Sequence, residues 1–113
     1  MSGKRIFTLA EAQRLLPEVK RLTSEAAGSA EQLSERLDDL EEDDPRRERL
    51  ESDLNRIVTQ WAGRMNGLSL EVKGLWLVDF DNGDGYYCWR HPEAILEHYH
   101  GYHEGFAGRM KIV

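Results

Sequence analysis

Cysteine occurs once in the 113 residues, which excludes an intramolecular disulfide and suits a reducing compartment, so the cytoplasm is the expected location. Long apolar runs are missing too. No stretch approaches the roughly 18 residues that a membrane helix requires, and the opening Met1-Ser2-Gly3-Lys4-Arg5-Ile6-Phe7 has two basic residues with no apolar segment behind them, so neither a membrane span nor a secretory leader is expected. Positive charge is scarce: 15 lysines and arginines stand against 21 acids. With no basic stripe or patch to neutralise phosphates, nucleic acid is excluded as a partner.

The acids that are present are concentrated. Ser24 to Asp53 holds twelve acids and four bases, a local charge of −8, whereas the first 23 residues carry +3. The field of the molecule is therefore strongly negative at one end, and the run from Asp38 to Asp44 reads as a solvated tip.

Periodicity locates that tip. Thr8 followed by Glu11 is a capping box, with Phe7 placed to pack on Ala12 as a staple. Leu15, Val19, Leu22, Ala26, Ala30, Leu33, Leu37 and Leu40 then hold one helical face, with Pro17 expected to bend or divide it. Asp44-Pro45 supplies a cap and a first-turn proline, and the face resumes at Leu50, Leu54, Ile57, Trp61, Met65 and Leu68. Two seams of like period joined by a short polar turn predict an antiparallel, coiled-coil-like helical hairpin over residues 8–67.

After Gly67 the period changes to two. Leu68, Leu70 and Val72 alternate with polar residues; Leu75 to Phe80 is rich in strand formers, Asp81-Asn82-Gly83-Asp84-Gly85 is dense in turn residues, and Tyr86 to Arg90 reads as a second strand. His91-Pro92-Glu93 predicts the start of a short helix ending by Gly101, followed by an extended tail to Val113. The expected architecture is α+β in one domain, residues 1–113, with 68–113 forming the β-hairpin, short C-terminal helix and tail. One helical layer on a small sheet makes a thin core at this length, so a homodimer paired through the helices is the expected assembly.

All four histidines (His91, His98, His100, His103) and the single cysteine, Cys88, fall within sixteen residues. Nitrogen, sulfur and carboxylate so close in sequence invite a metal, although Cys-x2-His-x6-His-x-His-x2-His matches no established zinc signature. On a helix from Pro92 to His100, Glu93, Glu97 and His100 would share one face and form a partial sphere for zinc, manganese or iron, with Cys88 or Asp79 as further ligands. The bland alternative is an exposed polar helix face. Cys88 reads first as a small buried residue, and second as a nucleophile paired with His100 and activated by Arg90. Arg90 and Arg109 suit ion pairs with Asp79 and Glu93. Alternatively, with His100, Trp76, Trp89 and Tyr99, they could line a pocket for a small anionic ligand. The Asp79-x-Asp81-Asn82-Gly83-Asp84-Gly85 run is not a calcium loop, because glycine is not at its sixth position and Arg90 stands where the twelfth-position glutamate belongs.

Leu77-Val78-Asp79-Phe80, Cys88-Trp89-Arg90, Glu93, Tyr99-His100 and Gly105-Phe106-Ala107-Gly108-Arg109 follow in order after a Phe-Thr-Leu-Ala-Glu-Ala opening and Leu-Leu-Pro. In that combination the chain resembles the bacterial family catalogued as domain of unknown function 2203. The resemblance implies no activity. It singles out Cys88-Trp89-Arg90, Glu93 and Tyr99-His100 and leaves His91, His98 and His103 without counterparts. The chain departs from the family pattern at Trp76, where a small residue is usual, at Asp81, where proline is usual, and at His91-Pro92, where Leu-Gly is usual. Together these readings give a dimeric helical module that binds or scaffolds a protein partner, against a metal protein or metal-dependent enzyme, or a small-anion binder.

Overall fold

In the computed structural model, which describes residues 5–112, two long helices lie against one face of a five-stranded sheet. Helix α1 spans Leu9–Asp38. Its capping box is formed in full: the Glu11 N–H donates to Thr8 Oγ1 at 3.1 Å and the Thr8 N–H to Glu11 Oε1 at 2.9 Å. The expected division at Pro17 does not occur. The helix runs continuously through it, with Leu16 and Val19 buried on either side and Pro17 itself exposed, so tertiary packing outweighs the missing N–H.

Helix α2 spans Arg46–Gly67, with Pro45 in the cap position and Asp44 Oδ1 accepting the Arg46 N–H at 2.9 Å. Arg47 Nη1 reaches back to the carbonyls of Leu37, in the last turn of α1, and Leu40, just beyond it (2.8 and 3.3 Å). Between the helices the buried Trp61 Nε1 donates to Thr23 Oγ1 at 2.8 Å, so a threonine between the predicted seam positions is fully buried because it answers an indole.

The sheet is an antiparallel meander of β1 (Glu71–Gly74), β2 (Leu77–Asp81), β3 (Tyr86–Arg90), β4 (His98–His100) and β5 (Met110–Lys111), in that spatial order. The expected hairpin is β2–β3, and the strand before it is β1. The expected helix over Pro92 to His100 is absent. His98 to His100 pair instead with Cys88 to Tyr86, and the tail adds a further strand and a single 3-10 turn at Phe106–Gly108. Two demands outweigh a nine-residue helix that could offer few internal bonds. The free edge of β3 needs a partner, and the Glu93 backbone is committed to the turn that leaves β3, its N–H to the Arg90 carbonyl (2.8 Å) and its carbonyl to Trp89 Nε1 (2.9 Å).

Alternation along β2 and β3 sends Val78, Phe80 and Trp89 into one core with Ala12, Leu16, Val19, Trp61 and Met65 of the helices. Trp76 sits in the turn between β1 and β2 at φ 59°, a left-handed conformation that small residues adopt with less strain, and its ring meets Trp61 edge-on at 4.9 Å. No helix among the described residues is long and apolar enough to cross a membrane.

Candidate functional site

The opposite face of the sheet carries the chemistry. Asp79 and Cys88 are register partners across β2 and β3, while His100 on β4 stands opposite Tyr86, two residues along β3 from Cys88. Period-two alternation therefore aims all three side chains the same way. One ligand atom from each (a carboxylate oxygen, Sγ and an imidazole nitrogen) lies within 4.8 Å of the others, and all three residues are buried. Gly85 makes this convergence possible: a Cβ there would lie 2.5 Å from the His100 carbonyl, so the close approach of β4 to the hairpin requires glycine.

Hydrogen-bond roles in the trio follow from its neighbours. His100 Nδ1 is 2.9 Å from the Gly101 carbonyl, an acceptor only, so Nδ1 carries the proton and donates. Nε2 then presents a lone pair when the ring is neutral, yet it faces Asp79 Oδ2 at 2.9 Å. Neither oxygen of the Asp79 carboxylate receives a well-directed hydrogen bond, the His100 contact being close but not aligned as one, although the residue is only 1% exposed. Burial raises the Asp79 carboxyl above the usual range, with the imidazole opposing. The Cys88 thiol is pushed up to about 12, first by burial and then by the charge on Asp79. A thiol held there is protonated at neutral pH, which lends no support to its reading as an activated nucleophile. Arg109 opposes both effects more weakly, while the Arg90 guanidinium lies against Phe106, 5.2 Å from the ring centre.

The tail covers the site. Tyr102 Oη donates to Asp81 Oδ1 at 2.7 Å and its ring meets Tyr86 at 5.1 Å. Phe106 lies under the Arg109 guanidinium at 4.0 Å. Between tail and sheet is a cavity of about 270 Å³ whose lining includes Asp79, Cys88, His100, Lys73, Glu104 and Phe106.

The remaining predicted residues lie elsewhere. Glu93 Oε1 and Oε2 are held by Arg109 at 3.0 and 2.8 Å, with the Arg90 N–H adding 2.9 Å. Burial works against that carboxylate, but Arg109 and the Arg90 N–H together keep it below the usual carboxylate range. Glu97 contributes its carbonyl to the Ile112 N–H at 2.8 Å. Without the helix, Glu93, Glu97 and His100 do not share a face, and neither glutamate belongs to the converging trio. Arg109 pairs with Glu93 as expected; Asp79 faces His100 instead of an arginine. Trp76 and Trp89 pack on the helical side, so they do not join Arg90, Arg109 and His100 in one pocket. His98 Nδ1 lies 3.9 Å from Glu93 Oε2, His91 packs near Trp89, and His103 is exposed. What the sequence reading lacked was the pairing of β4, which brings His100 over Asp79; the His-x-His alternation at 98–100 was the available signal.

Fold and site define an α+β protein, a helical hairpin on an antiparallel meander, with a buried carboxylate, thiol and imidazole gathered beneath its C-terminal tail. The chain belongs to the family of uncharacterised conserved proteins designated DUF2203, whose family model matches residues 5–112. No curated protein and no solved structure matches it.

Proposed function

We propose that this chain is a metal-binding protein that holds one divalent transition metal through Asp79, Cys88 Sγ and His100 Nε2. The observation that carries this reading is the pairing of His100 Nε2 with Asp79 Oδ2 at 2.9 Å while Nδ1–H is committed to the Gly101 carbonyl. Two lone pairs so close and so buried are answered by a shared proton or by a metal ion, and a ring whose second nitrogen donates to a backbone carbonyl is the usual arrangement of a metal-ligating histidine. Ligand atoms on tetrahedral zinc stand roughly 3.4–3.8 Å apart, and atoms already within 4.8 Å of one another reach that spacing by small side-chain rotations. A thiolate with an imidazole favours zinc over manganese, with iron between them.

Elemental analysis of untagged protein tests the reading. Near-stoichiometric zinc or iron that falls away in His100→Ala, with the helical circular dichroism retained, is the expected result. Metal-free protein that takes up no added zinc leaves Asp79 and His100 as a structural ion pair sharing a proton and ends the metal reading.

A second reading, a homodimer paired through the hairpin as a scaffold for a protein partner, rests on a separate observation. Leu33, Leu54 and Ile57 of the two helices are only half-buried in the single chain, and a four-helix arrangement would cover them. Sedimentation equilibrium showing a monomer at micromolar concentration removes it.

A further inference from the structure

Asp79, Cys88 and His100 supply three ligands and border the cavity beneath the tail. Three protein ligands on a zinc-class metal leave one position for an exogenous group. The walls of the cavity restrict what that group can be. A divalent metal with one carboxylate and one thiolate is a neutral cluster, so the charge on the visitor must be met by the walls. These carry one cation, Lys73, whose Nζ contact with Glu71 Oε1 at 3.3 Å is made between side chains 39% and 34% exposed. Such a pair contributes little and is readily exchanged for a better partner. Glu104 also lines the cavity with one oxygen committed to the Gly101 N–H at 2.8 Å, so its negative charge repels a dianion. Phe106 and Leu77 give the remaining surface an apolar character. Arg90 and Arg109, the groups that would favour a phosphate, are not among the lining residues; Arg109 comes near Cys88 but has both Nη atoms committed to Glu93.

We propose that the cavity takes a small monocarboxylate, one oxygen completing the coordination of the metal held by Asp79, Cys88 and His100, the other meeting Lys73, and a short apolar body lying against Phe106 and Leu77. This rests on the metal reading above and adds to it the chemical class of the bound ligand.

Cobalt(II) loaded into the 113-residue chain separates the two claims, because sulfur-to-cobalt charge transfer reports Cys88 coordination while the ligand-field bands report the fourth position. The expected result is a charge-transfer band in the loaded protein and a saturable change of the ligand-field bands with butyrate but not with butyramide. Lys73→Met should weaken the butyrate titration about tenfold, the value of one charge-assisted contact. Unchanged ligand-field bands with the charge-transfer band present overturn the carboxylate proposal and leave the metal reading standing. Inorganic phosphate binding more tightly than butyrate overturns the ligand class. A Glu104→Gln variant that by itself changes the ligand-field bands shows that Glu104 fills the fourth position, which also overturns it. Absence of the charge-transfer band overturns both claims.

Discussion

On the side of the sheet turned to the helices, Val78, Phe80 and Trp89 are buried by carbon; on the side under the tail, Asp79, Asp81, Cys88 and His100 are buried nearly as deeply, though all four are ionisable. Alternation along β2 and β3 supplies both sets except His100, which β4 adds to the outer face. The inner face has one polar group to satisfy, the Trp89 indole N–H, and the Glu93 carbonyl accepts it at 2.9 Å. The outer face is satisfied at Asp81, whose Oδ1 accepts from Gly83 N–H and Tyr102 Oη, and is not satisfied at Asp79. A polar group deeply buried without directed hydrogen bonds is costly, and its presence beside a thiol and an imidazole is what separates the outer face from the inner one.

Substitutions can break this contrast, starting where the effect is largest. Trp89→Ala removes the largest fully buried side chain together with its bond to the Glu93 carbonyl, and should cost about 3–5 kcal/mol in urea unfolding. Gly85→Ala forces a methyl against the His100 carbonyl; it should cost about 1–3 kcal/mol and displace His100, so that zinc affinity by competition with a chromophoric chelator falls along with stability. Thr23→Val tests whether a single polar pair within the helical core matters as the outer face does. It strands the buried Trp61 N–H and should cost about 1–3 kcal/mol while leaving zinc affinity untouched.

The smallest effect is the most diagnostic of the outer face. Because burial raises the Asp79 carboxyl in the folded chain, the folded state of the metal-free protein binds that proton more tightly than the unfolded state. The contribution is fully present below the ordinary carboxylate pKa and is lost as pH rises through the raised folded value. Stability of metal-free wild type relative to Asp79→Asn, followed by urea unfolding across acidic to neutral pH, should therefore decline with pH. A flat difference would mean that a donor or cation already satisfies the carboxylate.

Legibility in the sequence follows the range of the interaction. The hairpin was readable because Thr8 with Glu11, and Leu50 through Met65, act within a few residues of each other. The β2–β3 pair was readable from its turn residues. His98 to His100 was misread as helical because its conformation is set by hydrogen bonds to Tyr86 to Cys88, residues that local periodicity does not connect to it. The site suffered the same error. Cys88, Asp79 and His100 were each named as candidates, but the helix grouped His100 with Glu93 and Glu97, whereas strand pairing groups it with Asp79 and Cys88. Trp76 shows the reverse case: a left-handed turn at that position accounts for a pattern that favours a small residue there.

The account turns on whether the outer face exchanges protons for a metal. Zinc titrated calorimetrically into the metal-free protein at neutral pH, in buffers of different ionisation enthalpy, measures this directly. With the Cys88 thiol held up to about 12 in the metal-free chain, binding must expel its proton. The account predicts one zinc per chain and about one proton released, with the release and most of the affinity lost in Cys88→Ala. Zinc that fails to bind, or that binds with the same proton release in Cys88→Ala, would contradict it.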